Sequence, residues 1–377
     1  MTEDYKTMMV VRDMLKYFGL VCLLACFCDF AAAREPIVDQ IAGTRASENN
    51  GDTGPAATLN IGAPFGVEIG PDMTLYITEV ANHRVRRLDL ATRELTTVVG
   101  CGRRGYAGDG GSAVDAELNE PYEVRFDRQG NMYFVEMQNH IVRRVDAKSK
   151  TISTVAGNGR QGFGGDGGPA VEAMFNNPHS IAIDRDGAIY IADIGNHRIR
   201  RIDPKTGIVE SIAGASQRTP PRDGQAARGN PMLGPRALFV DGGSLWIALR
   251  EGHSIWRLDR TSGILHHVAG AGQAGYFGDG RAAASATFNG PKGIAVASNR
   301  FVYVVDSGNN VVRRIVLRTG LISTVAGDNS RGQDQTDDDG TNWGMKLNQP
   351  HGVCVAPDGT LYIGDTLNHR VLRVRQK

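Results

Sequence analysis

The chain repeats itself six times, and that periodicity limits its fold more than any other feature. Pro64, Pro121, Pro178, Pro235, Pro291 and Pro350 stand 57, 57, 57, 56 and 59 residues apart, each ahead of a short aliphatic run. A long fixed period marks a repeat architecture, in which one unit cannot bury its apolar surface alone. In the third unit, residues 181–184 predict a first strand, Asp186 and Gly187 a turn, 189–192 a second strand, and Ile194 to Asn196 a second turn. Residues 198–202 then read as a third strand and 209–213 as a fourth, with Gly207 in the turn between them. Aliphatic runs punctuated by Gly, Asp and Asn make each unit a four-stranded antiparallel meander.

Six such units need a common core, and setting them around an axis protects the sheet edges. The expected fold is all-β, a six-bladed β-propeller. The sixth unit stops on its third strand at residues 370–374, while residues 37–43 match 152–157 in aliphatic spacing and in their final Ala-Gly. This N-terminal strand is expected to complete the last blade and close the ring, which makes residues 34–377 one domain. The 48 glycines then belong to turns, since 41% hydrophobic and 22% charged residues suit a packed protein and there is no Gly-X-Y run.

Residues 18–27 form an apolar run preceded by Arg12 and Lys16 and followed by Ala31, Ala32 and Ala33. That is the layout of a secretory signal, and the run is shorter than the roughly 20 residues of a membrane-spanning helix. Cleavage after Ala33 would make 1–33 a signal peptide. Residues 23–26 also resemble a bacterial lipobox, which would place a lipid anchor on Cys26, and a buried N-terminal helix is the third alternative. Glu3, Asp4 and Asp13 are unusual in a signal, and translation from Met14 would remove them. Export implies a periplasmic, extracellular or cell-surface location. Cys22, Cys26 and Cys28 lie in this segment, and the remaining Cys101 and Cys354 cannot build a disulfide framework or a CxxC zinc site. With 42 basic and 41 acidic residues the net charge is +1, so no overall field recruits nucleic acid.

The segments Tyr190 to Arg198, Tyr362 to Arg370 and Tyr76 to Arg84 share the pattern Tyr-Ile-x-Asp/Glu-x-x-Asn-His-Arg. In this the chain resembles NHL-repeat proteins, exported bacterial ones among them, over about 340 of its 377 residues. The resemblance implies a six-bladed propeller. It leaves function open, because the family includes peptide-amidating lyases, RNA-binding regulators, extracellular sensor domains and adhesion modules.

Three sets of residues recur. His83, His140, His197, His253, Asn310 and His369 hold one turn position. They read as side chains bonding the turn backbone of the adjacent blade, with a metal ring as the alternative. Arg87, Arg144, Arg201, Arg257, Arg314 and Arg373 hold one third-strand position, expected to pack on the blade and reach a carbonyl or carboxylate. Asp52, Asp109, Asp166, Asp223, Asp279 and Asp338 lie twelve residues before each repeat proline. They read as turn closers, or as calcium ligands.

Function is better sought where the repeats differ. The residue after each proline opens the innermost strand at the mouth of the central channel, and reads Phe65, Tyr122, His179, Arg236, Lys292 and His351. In the amidating-lyase branch, Pro-His at this place supplies zinc ligands on three alternate blades. His179 and His351 match that pattern, but on two opposite blades. Glu79, Glu136, Asp193, Asp306 and Asp365 close the second strands and are candidate oxygen ligands or bases. Glu123 replaces the small residue found as Gly66, Ser180, Ala237, Gly293 and Gly352, and Glu68 and Arg125 read as a salt bridge across the channel wall. In the fourth unit Leu249 to Gly252 replaces the usual turn, with Trp246 and Trp256 nearby.

Two functions follow. One is an exported binding module whose top face takes a protein, peptide or glycan. The other is a metal-assisted lyase or hydrolase at the channel mouth. There His179 and His351 would hold zinc or calcium, with Tyr122, Glu123, Arg236 and Lys292 as catalytic candidates. A solvated pore lined by freely varying residues is the reading without chemistry, and the asymmetric Glu, Asn and Asp metal set of gluconolactonases is absent.

Overall fold

A computed structural model describes residues 37–297, 299–332 and 345–375, all within the unit Pro36–Gln376. The candidate signal segment, the lipobox cysteine and Asp338 lie outside the described residues. Each predicted meander is present. Blade three runs Pro178–Ile183, Ile189–Asp193, Arg198–Ile202 and Val209–Gly214, paired antiparallel in that order, and blades one, two, four and five repeat the pattern. Blade six takes Val353–Val355, Leu361–Asp365 and Arg370–Arg375 from the C-terminal end and Ile37–Ala42 from the N-terminal end. The closing strand pairs in register from Ile37 opposite Arg375 to Ala42 opposite Val371, as its spacing predicts. Short 3-10 turns supply what helix there is, and among the described residues no helix is long and apolar enough to cross a membrane.

The core lies between blades. Leu238, Leu245 and Ile247 of blade four pack with Tyr190, Ala192 and Ile199 of blade three, and similar clusters fill the other interfaces. Small residues bring the innermost strands together around the axis. A Cβ on Gly66 would stand 2.5 Å from the Tyr122 carbonyl oxygen, one on Gly293 2.3 Å from that of His351, and one on Gly352 2.2 Å from that of Phe65.

The recurring histidines latch each blade to the next. Nδ1 of His83, His140, His197, His253 and His369 accepts from the backbone N–H of Glu120, Asn177, Gly234, Gly290 and Ala63, at 3.1–3.3 Å. In blade five the Asn310 side-chain oxygen accepts from Gln349 at 2.9 Å. Latch residues and partners all sit in the left-handed backbone region, from φ 45° at His253 to 64° at Gly234. Asn and His are among the residues that tolerate it. The turn-bonding reading holds, and the rings are spread one per blade rather than gathered around a metal.

Candidate functional site

The strand-closing carboxylates do not serve the channel. Glu79, Glu136, Asp193, Asp306 and Asp365 are fully buried and spent on structure. Glu136 accepts from Arg143 at 2.8 Å, from the Asn119 N–H at 2.8 Å and from the Asn139 side chain at 2.6 Å. Arg86, Arg200 and Arg370 approach Glu79, Asp193 and Asp365 to 3.0, 3.4 and 2.7 Å. Buried third-strand arginines explain four of the connecting-loop aspartates, while Asp223 accepts from the His267 N–H at 2.8 Å. Asp109, Asp166 and Asp279 reach Arg143, Arg200 and Arg313 at 2.9, 2.7 and 2.7 Å, and Asp52 reaches Arg84 at 2.7 Å. A carboxylate held by a buried guanidinium is a poor start for a calcium cage. These aspartates are loop anchors rather than self-bonded turn closers.

The recurring arginines Arg87, Arg144, Arg201 and Arg373 reach carboxylates as expected, and the sequence reading missed a second set one position earlier. Arg87, Arg144, Arg201 and Arg373 are half-buried and pair near the surface, whereas Arg86, Arg143, Arg200 and Arg313 have no exposed surface at all. The signal lay in blade four, where the buried pair disappears as a unit. Leu249 stands in for Asp193 and Trp256 for Arg200. A buried charge without its partner is strongly unfavourable, so the two are lost together.

The residues that differ between blades converge. Phe65 stacks on His351 with ring centres 3.9 Å apart, and touches Tyr122 at 4.6 Å. Tyr122 meets the edge of His179 at 4.9 Å, and the Arg236 guanidinium lies 5.4 Å from the Tyr122 ring centre. Lys292 Nζ approaches His351 Nε2 to 3.0 Å. All six post-proline residues thus form one ring at the mouth. Beneath them Glu123 accepts from Ser180 at 2.6 Å and from Arg125 at 3.3 Å, and the expected Glu68–Arg125 bridge spans 3.2 Å.

The mouth is rich in cations that lack full partners. Arg236 is 3% exposed, its closest carboxylate oxygen on Glu123 is 3.8 Å away, and its Nη1 makes no hydrogen bond among the described residues. Burial, reinforced by Arg236 and Arg250, brings the Lys292 ammonium down to about 8. Burial first and neighbouring cations second hold His179 and His351 well below the ordinary histidine value, so both rings are neutral at pH 7. Their Nδ1 atoms meet the carbonyls of Asn177 and Gln349 at 2.6 and 2.9 Å, which leaves each Nε2 as an acceptor. Burial raises the Tyr122 phenol to about 12 and the Glu123 carboxyl above its usual range.

A cleft of about 610 Å³ opens beside the ring, lined by His179, His197, Arg218, Arg250, Glu251 and Met137 among others. Separately, three connections place an aromatic ring at one repeat position. Tyr106, Phe163 and Tyr276 lie over buried Arg143, Arg200 and Arg313 at 5.3, 5.1 and 5.2 Å, yet remain 39–49% exposed. The sequence reading missed this set.

His179 and His351 do not fit a zinc site as placed. His351 Nε2 already accepts from Lys292, and Arg236 and Lys292 crowd a position where a divalent ion would need anionic or neutral donors. Among the described residues no group of three His, Cys, Asp or Glu gathers around a common point.

Comparison with known proteins agrees with the architecture. Residues 158–227 and 267–337 match the model of the teneurin NHL domain, and residues 347–373 match that of the NHL repeat. The chain carries NHL repeats. Human NHL repeat-containing protein 2 is 30% identical over 236 residues, which covers 55% of this chain and 32% of that protein. The Arabidopsis thaliana chloroplast protein SUPPRESSOR OF QUENCHING 1 is 28% identical over 273 residues, covering 68% and 25%. The NHL chain therefore spans a quarter to a third of the length of these relatives. An auxiliary nutrient binding protein from Bacteroides thetaiotaomicron shares the fold at a TM-score of 0.66 and 15% identity, over 91% of this chain and 78% of its own.

Proposed function

We propose that this NHL propeller is an exported binding module whose top face receives an anionic group, carried by a peptide, protein or glycan, at the channel mouth. The observation that carries this reading is the ring itself. Arg236 and Lys292 lie with Arg250 beside them, Glu123 and Glu251 are the carboxylates that act on Arg236, and Arg236 Nη1 makes no hydrogen bond among the described residues. A buried guanidinium with an unmet donor gains more from a carboxylate or sulfate oxygen than a solvated one would. Tyr106, Phe163 and Tyr276 add exposed aromatic area on the connecting loops farther out on the blades. The Bacteroides relative, named as a nutrient-binding protein, is in keeping with ligand capture by such a face.

The second reading is the metal-assisted lyase or hydrolase, in which zinc on His179 and His351 would polarise a substrate and Tyr122 or Glu123 would take a proton. The Lys292–His351 contact and the raised Tyr122 phenol weigh against it.

Thermal unfolding with sulfate, citrate or a neutral sugar separates binding from background. Both anions should raise the melting temperature while the sugar does not, and Arg236→Gln should abolish the rise. Equal stabilisation of wild type and Arg236→Gln would overturn the proposal. Stoichiometric zinc in protein purified without chelator, lost in His179→Ala/His351→Ala, would favour the enzyme instead.

A further inference from the structure

Blade four breaks the repeat a second time, at the end of its sheet away from the channel mouth. Five blades place a tyrosine in the middle of the second strand: Tyr76, Tyr133, Tyr190, Tyr303 and Tyr362. Three of these donate the hydroxyl to an aspartate of the first turn, Tyr76 to Asp72 at 3.2 Å, Tyr133 to Asp127 at 3.1 Å and Tyr190 to Asp184 at 3.0 Å. Blade four has Trp246 instead, 3% exposed, with its Nε1 unpartnered among the described residues. Its third-strand arginine differs too. Arg87, Arg144, Arg201 and Arg373 each hold a carboxylate within 2.7–3.3 Å, whereas Arg257 makes no ion pair or hydrogen bond among the described residues. Opposite Arg257 stands His266, likewise without a hydrogen-bond partner, where other blades have Thr96, Ser153, Glu210 and Ser323.

These departures border one groove of about 740 Å³ between blades four and five. Its apolar wall is Trp246, Phe301 and Ile315, and its polar side is Arg257, His266, Arg300 and Arg318. No aspartate or glutamate lines it among the described residues. The volume falls within the roughly 300–1,000 Å³ of small-molecule sites. Three guanidiniums that form no ion pair among the described residues, beside aromatic and aliphatic surface, are complementary to a molecule with an apolar body and one anionic end. An acidic peptide would leave the Trp246 and Phe301 wall unused, and a neutral hydrocarbon would leave the arginines unused.

We propose that the groove between blades four and five binds a small apolar carboxylate, at a site separate from the channel mouth. Arg257 and Arg318, unpaired among the described residues, would hold the carboxylate with His266, while Trp246 and Phe301 hold the body.

The test uses dodecanoate and dodecanol as probes on the full chain, read by tryptophan fluorescence, since Trp246 lines the groove, and by calorimetry. Dodecanoate should saturate the tryptophan signal of the groove, with at least about a tenfold preference over dodecanol there. Arg257→Gln/Arg318→Gln should weaken this fluorescence-detected binding by about tenfold or more, whereas Arg236→Gln, which alters only the mouth, should leave the fluorescence titration unchanged. His266→Ser copies the residue of blades two and five, so it keeps the fold and should weaken binding on its own. No saturable binding, equal affinity for the alcohol, or sensitivity to Arg236→Gln but not to the groove variants would each overturn the proposal. The last result would assign the carboxylate to the mouth and so leave the proposed function standing while this site fails.

Discussion

Replacing Arg143 by Met tests the most basic claim about how the propeller holds its loops. Arg143 and Glu136 have no exposed surface and meet at 2.8 Å, and Asp109 reaches the same guanidinium at 2.9 Å. Removing one member of a buried pair costs about 3–5 kcal/mol, because the other charge stays buried alone. Unfolding entropy of about 2.1 cal/mol/K per residue, over roughly 340 residues, converts this to a fall of about 4–7 °C in melting temperature. The loss depends on pH, and its sign follows from Glu136. Burial already lifts its carboxyl to about 7 against Arg143, and without the arginine it rises further. A carboxyl with a raised native pKa contributes stability that is complete below its unfolded value and is lost as pH rises through the native one. The gap between Arg143→Met and wild type should therefore widen between pH 5 and pH 8, by up to about 1.4 kcal/mol over the one unit that separates the wild-type value of about 7 from pH 8. Adding Glu136→Leu removes the stranded charge, as Leu249 does in blade four, and should recover most of the loss at pH 8. Differential scanning calorimetry at the two pH values reads all three. Equal losses at pH 5 and 8, or a double variant no better than the single one, would refute a buried charge pair as the loop anchor.

Three further outcomes are expected. His140→Ala leaves the Asn177 N–H without its acceptor and should destabilise by about 1–3 kcal/mol in a denaturant titration, while Asn310→His, which copies the other blades, should be nearly neutral. Ile41→Asp places a charge in the closing strand against the blade-six cluster and should lower the melting temperature by more than Ile37→Asp, whose side chain is exposed. Of the two cysteines in the propeller, Cys101 is exposed and should react with a thiol reagent in the native state. Cys354 is buried, its thiol is pushed well above the usual value by that burial, and it should react only on unfolding.

Most of the architecture was legible in the sequence because the repeat fixes it six times over. The strand order, the closing strand at residues 37–42 and the histidine latches all follow from chemistry that each blade restates. The Glu68–Arg125 bridge was legible as well, since opposite charges replace small residues in adjacent blades. The buried arginines were missed for a physical reason. Arg86 and Arg87 are consecutive, alternation sends them to opposite faces, and composition does not say which face the neighbouring blade covers. The convergence of Phe65, Tyr122, His179, Arg236, Lys292 and His351 was legible from their shared position, but not its character. Only the contacts put Lys292 on His351 and leave Arg236 Nη1 short of a hydrogen bond among the described residues, and on these the proposed anion site rests.

The most direct measurement at the channel mouth is the affinity for sulfate, by calorimetry, across the pH range in which Lys292 titrates. Burial and the nearby Arg236 and Arg250 bring the Lys292 ammonium down to about 8, so it is charged below that pH and neutral above it. Sulfate keeps its own charge throughout. Affinity in the wild type should fall as pH rises through about 8, and in Lys292→Gln it should be weaker and flat. Sulfate binding that ignores both pH and Lys292→Gln, or no binding at any pH, would contradict an anion site at the mouth of the propeller.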